Sequence, residues 1–215
     1  MKEFSKQINR LSQKHNITQL FDDFMDISIC AFSLGKMEEK YNEVTAKYLP
    51  DELQILREAF AELVLAYQKI ENVEGCNDIL GDFFMSTNSY SSASNKGQFF
   101  TPIQVCNFMS ASLPSQHSNR ISDLCSGSGR NLIAHANIDR ENRQNCFYVG
   151  SDLDKRCVKM TALNMFLFGM NGVSIHMDGI FLDIYSGFRI YPHQTLKGIQ
   201  LLTKEECVPY LLTST

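Results

Sequence analysis

From residue 120 onward, short apolar runs alternate with helical stretches, and this alternation limits the fold more than any other feature of the chain. RISDLC reads as a strand, RNLIAHANI as a helix, CFYVGSD as a strand, KRCVKMTALNMFLFG as a helix and VSIHM as a strand. That order predicts a parallel sheet wrapped by helices. With right-handed crossovers it makes one half of a Rossmann-like α/β fold. The run MFLFGM reads as the buried end of the second helix.

The chain before residue 90 has a different texture. In DELQILREAFAELVLAYQKIEN, Leu53, Leu56, Phe60, Leu63, Tyr67 and Ile70 recur at three- and four-residue steps, and Asp51 with Gln54 resembles a capping box. NITQLFDDFMDISICAFSL precedes this run and CNDILGDFFM follows it. We therefore expect a helical N-terminal region over residues 1–90. STNSYSSASNKG (86–97) has no aliphatic residue larger than Ala93 and is dense in Ser and Asn, which marks a connector. The α/β domain is expected over 91–215, with an incomplete or truncated parallel sheet.

Composition excludes several classes. With 44% hydrophobic residues and a net charge of only −4, the chain can build a core and is not of disordered composition. No signal-peptide core and no run of membrane-spanning length is present, so a soluble, cytoplasmic protein with no membrane partner is expected. The seven cysteines are scattered, without a C-x-x-C pair or a histidine at ligand spacing. Neither a disulfide framework nor a metal site is expected, and most cysteines read as small buried hydrophobes. Residues 1–90 hold 9 Lys+Arg against 15 Asp+Glu, net −6, and residues 91–215 hold 11 against 9, net +2. A polyanion would be met by the second part, and the acidic whole makes a weak nucleic-acid binder by itself.

The chemistry concentrates in DLCSGSG (123–129). After a first parallel strand, Gly127 and Gly129 would let backbone approach a ligand, with the next helix's amides facing it. A dinucleotide needs a small third residue in G-x-G-x-x-G, and Leu132 stands there. NAD, and with it a nucleotide-dependent oxidoreductase, is disfavoured. Asp123, at the strand end, suits a cationic ligand group and would repel a pyrophosphate. Asp152 in YVGSDLD lies 23 residues after Gly129, at the end of the second strand, where a carboxylate holds ribose hydroxyls. S-adenosylmethionine carries both an ammonium and a ribose. The plainer alternatives are a tight turn at the glycines and a helix cap at the acid.

GQFFTP (97–102), then DLCSGSG, then GSDLD, then Asp178 in HMDGI, with DILGDFF upstream, is similar to the amino-terminal portion of N6-adenine DNA methyltransferases. The resemblance is greatest to modification subunits of type I restriction systems and spans roughly residues 76–185. It implies a Rossmann-like methyltransferase domain that binds S-adenosylmethionine. By it, Phe100 and Thr101 border the methionine end, Asp123, Gly127 and Gly129 line the loop, Asp152 takes the ribose, and Asp178 lies near the adenine. It also implies DNA as partner, with a specificity or catalytic partner subunit or a second copy of the chain. Thr101 alone also reads as a helix cap before Pro102.

The family holds the flipped base with an Asn/Asp/Ser-Pro-Pro-aromatic loop. Past Asp178, only Tyr191-Pro192-His193-Gln194 and Val208-Pro209-Tyr210 bear proline, and neither matches. No catalytic residue is assigned. The chain stops about where the family's later strands would begin, with no clear helix or strand closing it. The rival reading is a catalytically inactive cofactor-binding or scaffold protein of a mobile element or restriction system. Of the remaining residues, Cys125 reads as a packing residue and His176 as structural. Arg130 and Asn131 read equally well as facing solvent or ligand.

Overall fold

The computed structural model describes residues 2–71, 78–88, 99–112, 119–138, 140 and 143–212. Among the described residues five helices come first: α1 (Lys2–Leu11), α2 (Ile17–Phe32), α3 (Glu38–Thr45), α4 (Pro50–Glu71) and α5 (Ile79–Asn88). Then follow α6 (Ile103–Ser112), β1 (Arg120–Asp123), α7 (Arg130–Ile138), β2 (Phe147–Asp152), α8 (Lys155–Leu167) and β3 (Asn171–Asp178). The chain closes with β4 (Asp183–Ile190), a 3-10 turn (His193–Thr195), β5 (Ile199–Leu202), α9 (Lys204–Cys207) and α10 (Pro209–Leu212). The proposed boundary at 90/91 falls within residues 89–98, outside the described residues. The expected connector starts later than 86, because α5 runs through Asn88.

Local chemistry sets the helix starts. Asn16 caps α2, its side-chain oxygen accepting from the amides of Thr18 and Gln19 at 3.0 and 3.2 Å. The capping box expected at Asp51 and Gln54 is displaced. The helix opens at Pro50, and the Glu52 carboxylate reaches back to the Leu49 amide at 3.0 Å.

Three parallel strands form in the order β1-β2-β3, as the alternation predicts, with Arg120 opposite Phe147 and Phe147 opposite Asn171. The sheet does not stay parallel. β4 turns back antiparallel on β3, Gly172 facing Ile190, and β5 pairs antiparallel with β4. A side chain at Gly187, inside β4, would meet Cys207 Sγ at 2.8 Å, so α9 packs directly on that strand. Two short helices also close the described C-terminal segment, where the sequence promised none.

Along β2, Tyr148 and Val149 point to opposite faces. One face carries the main core with α7 and α8, and the α2 and α5 helices pack outside α8. The Phe4 ring meets those of Phe24 and Phe83, each at 5.3 Å, and Phe32 of α2 meets Phe166 of α8 at 4.4 Å. A single apolar cluster therefore runs from Phe4 to Ile199. The other face is smaller: Val149, Val173, Ile175, Met177, Ile184 and Leu202 lie under Cys207 and Tyr210. No helix among the described residues is long and apolar enough to cross a membrane.

Every residue of α8 from Cys157 to Met165 is buried, so its polar members need internal partners. Lys159 pairs with Asp22 and Asp26 of α2 at 2.8 and 2.7 Å. Thr161 and Asn164 turn toward the loop after β1.

Near the α4 start, Glu52 also meets His15 at 3.1 Å. The Leu49 amide, and after it His15, hold its carboxyl below the usual glutamate range. A depressed folded value means that this contribution is complete above the unfolded glutamate pKa, about 4.3. It is lost as pH falls through the lower folded value. Melting temperatures measured down to acid pH should fall less steeply over that window in Glu52→Gln than in the parent.

Candidate cofactor site

β1, β2 and β3 end at one edge of the sheet, and Asp123, Asp152 and Asp178 are their final residues. The glycine bend lies between the first two. Gly127 and Gly129 have φ of +56° and +88°, a region in which a side chain costs roughly 1–2 kcal/mol. Space closes the same positions. A Cβ on Gly127 would meet the Phe100 ring at 2.9 Å, and one on Gly129 would meet Thr161 Oγ1 at 3.2 Å.

The bend is held from several sides. Thr161 Oγ1 donates to the Gly127 carbonyl at 3.0 Å, and Asn164 Nδ2 donates to the Ser128 carbonyl at 2.7 Å. The Gly129 amide donates to the Ser126 carbonyl at 2.7 Å, and the Gly127 amide to Asp152 Oδ2 at 2.9 Å. A trans, planar peptide sets its N–H opposite its carbonyl. With the Gly127 carbonyl turned to α8, the Ser128 amide points away from that helix.

Asp152 also accepts from the Asp154 amide at 2.9 Å. Burial pushes its carboxyl above the usual aspartate range; the Asp154 and Gly127 amides oppose this, and the Asp154 and Asp123 charges add to it. Asp123 accepts from the Cys125 amide at 3.2 Å and from Asn131 Nδ2 at 3.0 Å. Each carboxylate oxygen has two acceptor directions, so both acids keep capacity for a ligand. Asp178 accepts from the amides of Ile180 and Phe181 at 2.8 and 3.0 Å, which shapes the tip of the β3–β4 hairpin. Ile180, Phe181 and Leu182 on that tip are exposed.

Of the residues expected before the bend, Gly97 and Gln98 lie outside the described residues. Phe100 packs on Gly127 and stacks on Phe84 at 5.4 Å, whereas Phe99 is exposed. The Thr101 carbonyl accepts from Arg130 Nη1 at 3.4 Å. α6 opens at Ile103, and the Pro102 carbonyl accepts from Val105 and Cys106, so Pro102 rather than Thr101 holds the cap position.

The Arg130 side chain is mostly buried and turned to the acids at the start of α5. Its Nε donates to Asp78 at 2.7 Å, and its guanidinium also pairs with Asp82. Leu132, whose bulk disfavoured a dinucleotide, is buried in the core. Cys125 is exposed rather than packed, while Cys30, Cys106, Cys146, Cys157 and Cys207 are buried; Cys76 lies outside the described residues. His176 Nε2 meets the Leu153 carbonyl at 3.1 Å, and its ring leans on Tyr185. Among the described residues no group of His, Cys, Asp and Glu could hold a metal ion.

Both proline-bearing stretches lie at the opposite edge. Ile190 pairs with Gly172 at the start of β3, so Tyr191 and Pro192 sit about a strand length, roughly 20 Å, from the bend. Tyr191 lies under the Arg189 guanidinium at 4.1 Å. Tyr210 stacks on Phe147 at the start of β2. Neither reaches the carboxyl edge.

A bend of glycines at the carboxyl ends of parallel strands, wrapped by helices, defines a Rossmann-like α/β protein with its ligand edge at those ends. Residues 76–183, half of the chain, match the family model described as N-6 DNA Methylase. The chain belongs to the N-6 DNA methylase family. Among solved structures, it is similar to the type I restriction-modification system methyltransferase subunit from Streptococcus thermophilus. Identity is 18% and the TM-score 0.36, over 78% of this chain and 37% of that one. This chain thus spans little more than a third of that subunit's length. No curated protein matches the chain.

The residues that sequence reasoning missed are Asp78, Ser128, Thr161 and Asn164. Their signal was weak: a polar residue on an otherwise apolar helix face, readable only once a buried partner is known. Of the two bend glycines, Gly127 gives the tighter steric test, as Gly127→Ala. Its methyl meets the Phe100 ring and its backbone stays left-handed, so unfolding by denaturant should show a loss of about 1–3 kcal/mol.

Proposed function

We propose that the chain binds S-adenosylmethionine at this edge and serves methyl transfer to the N6 amine of adenine in DNA, in the cytoplasm, with its site completed by a partner chain. The observation that carries this reading is the pair Asp123 and Asp152 on either side of the glycine bend. Asp123 suits the ammonium of the methionine part, and Asp152 suits the ribose hydroxyls. Phe100 and Thr101 border the methionine end. Exposed Leu153, beside Asp152, and the hairpin after Asp178 offer apolar surface for the adenine ring. The cofactor supplies an electrophilic methyl group on a sulfonium centre. The residues here bind and orient it, and exclude water on the Phe100 side.

A base-holding group has to come from elsewhere, since neither proline stretch is at this edge. Two features support a partner. Among the described residues no strand pairs with the outer edge of β1. α6, which packs on α7 at the end of the helical layer away from α8, exposes Val105, Phe108 and Met109. A specificity or catalytic subunit, or a second copy, would join there and add basic surface to a chain of net charge −4. The second reading, a non-catalytic scaffold, is favoured by the Phe100 ring, which already occupies the space over Gly127.

Calorimetric titration separates the two. S-adenosylmethionine should give saturable heat with the parent and weaker binding with Asp123→Ala and Asp152→Ala; absence of heat in all three supports the scaffold. Transfer of labelled methyl to unmethylated DNA, with and without a partner subunit, then reads catalysis. Binding should also depend on pH. Ionised Asp152 is the stronger acceptor for ribose hydroxyls, and burial raises its folded pKa, so affinity should fall on acidification from above the ordinary aspartate range. Asp152→Asn should bind weakly and lose that dependence.

A further inference from the structure

Asp78 is almost completely buried at the start of α5, and its one carboxylate serves two structures. Oδ1 accepts from the Gly81 amide at 2.8 Å, which caps α5, and from Asn164 Nδ2 at 2.8 Å. Oδ2 accepts from Arg130 Nε at 2.7 Å and from the Ser128 hydroxyl inside the glycine bend. Asn164 passes the same nitrogen on to the Ser128 carbonyl, and its own oxygen accepts from the Tyr67 hydroxyl of α4. A helix cap needs only Oδ1. The other oxygen and Asn164 are spent on the loop. A methyl on Gly81 would land inside the Asp78 carboxylate, so the sequence also keeps that space clear.

We propose that Asp78 is a positioning residue for the cofactor site: from the N-terminal helices it holds Ser128, and through Asn164 the Ser128 carbonyl, so that the glycine bend is set before a ligand arrives. A bend with two left-handed glycines has many alternatives when free, and ordering it on binding would weaken affinity. The buried carboxylate removes those alternatives in advance. It touches no ligand; it acts through Ser128, Asn164 and Arg130. This rests on the cofactor reading above, but the loop-holding part can be tested without ligand.

Asp78→Asn keeps one oxygen for the Gly81 amide but turns an NH2 toward Arg130 Nε, which has then lost its acceptor, and can meet Ser128 only by donating to its hydroxyl, so the charge-assisted hold on the loop is gone. Lys159→Met is the control, since it breaks a buried ion pair between α2 and α8 without touching the bend. Amide hydrogen exchange over residues 124–132 of the ligand-free chain should rise in Asp78→Asn and stay at the parent level in Lys159→Met, although both lower the melting temperature. Cofactor affinity should fall about tenfold in Asp78→Asn, the scale of a lost buried charge-assisted hydrogen bond. It should stay near the parent value in Lys159→Met and recover in part in Asp78→Glu. Unchanged loop exchange in Asp78→Asn overturns the proposal, as does an equal rise in the control. If the parent shows no heat with S-adenosylmethionine, the cofactor reading falls and exchange alone still decides whether Asp78 positions the bend.

Discussion

The arrangement at the sheet edge depends on the grip of α8 on the glycine bend. Thr161 and Asn164, one turn apart on a helix buried on all sides, take the carbonyls of Gly127 and Ser128. Peptide planarity converts that grip into the direction of the Ser128 amide. The Asp152 carboxylate takes the next amide, that of Gly127, so loop and second strand are locked together. The same helix thus provides core on one side and backbone orientation on another, which explains why its polar residues tolerate burial.

Burial of so much polarity is costly unless every group is matched. Lys159 is matched by two carboxylates of α2, Arg130 by Asp78 and Asp82, and Asn164 by Tyr67, Asp78 and the loop. All of these partnerships except that of Asn164 with the loop join the N-terminal helices to the α/β part. Removing one member of such a pair leaves a buried charge uncompensated, a loss of about 3–5 kcal/mol in comparable cases.

Much of this was legible in the sequence, for local reasons. β1, β2, β3, α7 and α8 follow from periodicity, and the left-handed positions at Gly127 and Gly129 follow from residue type. Asp123 and Asp152 come to the expected edge because a strand end fixes where its last side chain stands. What stayed hidden is long-range. Asp78 and Asn164 are 86 residues apart, and Tyr67 and Asn164 are 97 apart, so no spacing rule connects them. On a helical wheel, Lys159 and Asn164 look like ordinary solvated positions. The β4–β5 hairpin went unread because Gly187 stands inside β4, where it makes room for α9, and Pro192 follows just past the strand's end. α4 begins earlier than its apparent box because Glu52, not Gln54, reaches back.

The shared core has a practical consequence for anyone dissecting the chain. The expected division near residue 90 suggests a fragment carrying the α/β part alone. Such an excision would strip α2 and α5 from α8, baring Phe166 and leaving Lys159 and Arg130 without the acids that balance them. The helical segment behaves less like an appendage than like the far wall of the same building, and the fragment worth expressing is the one that keeps it.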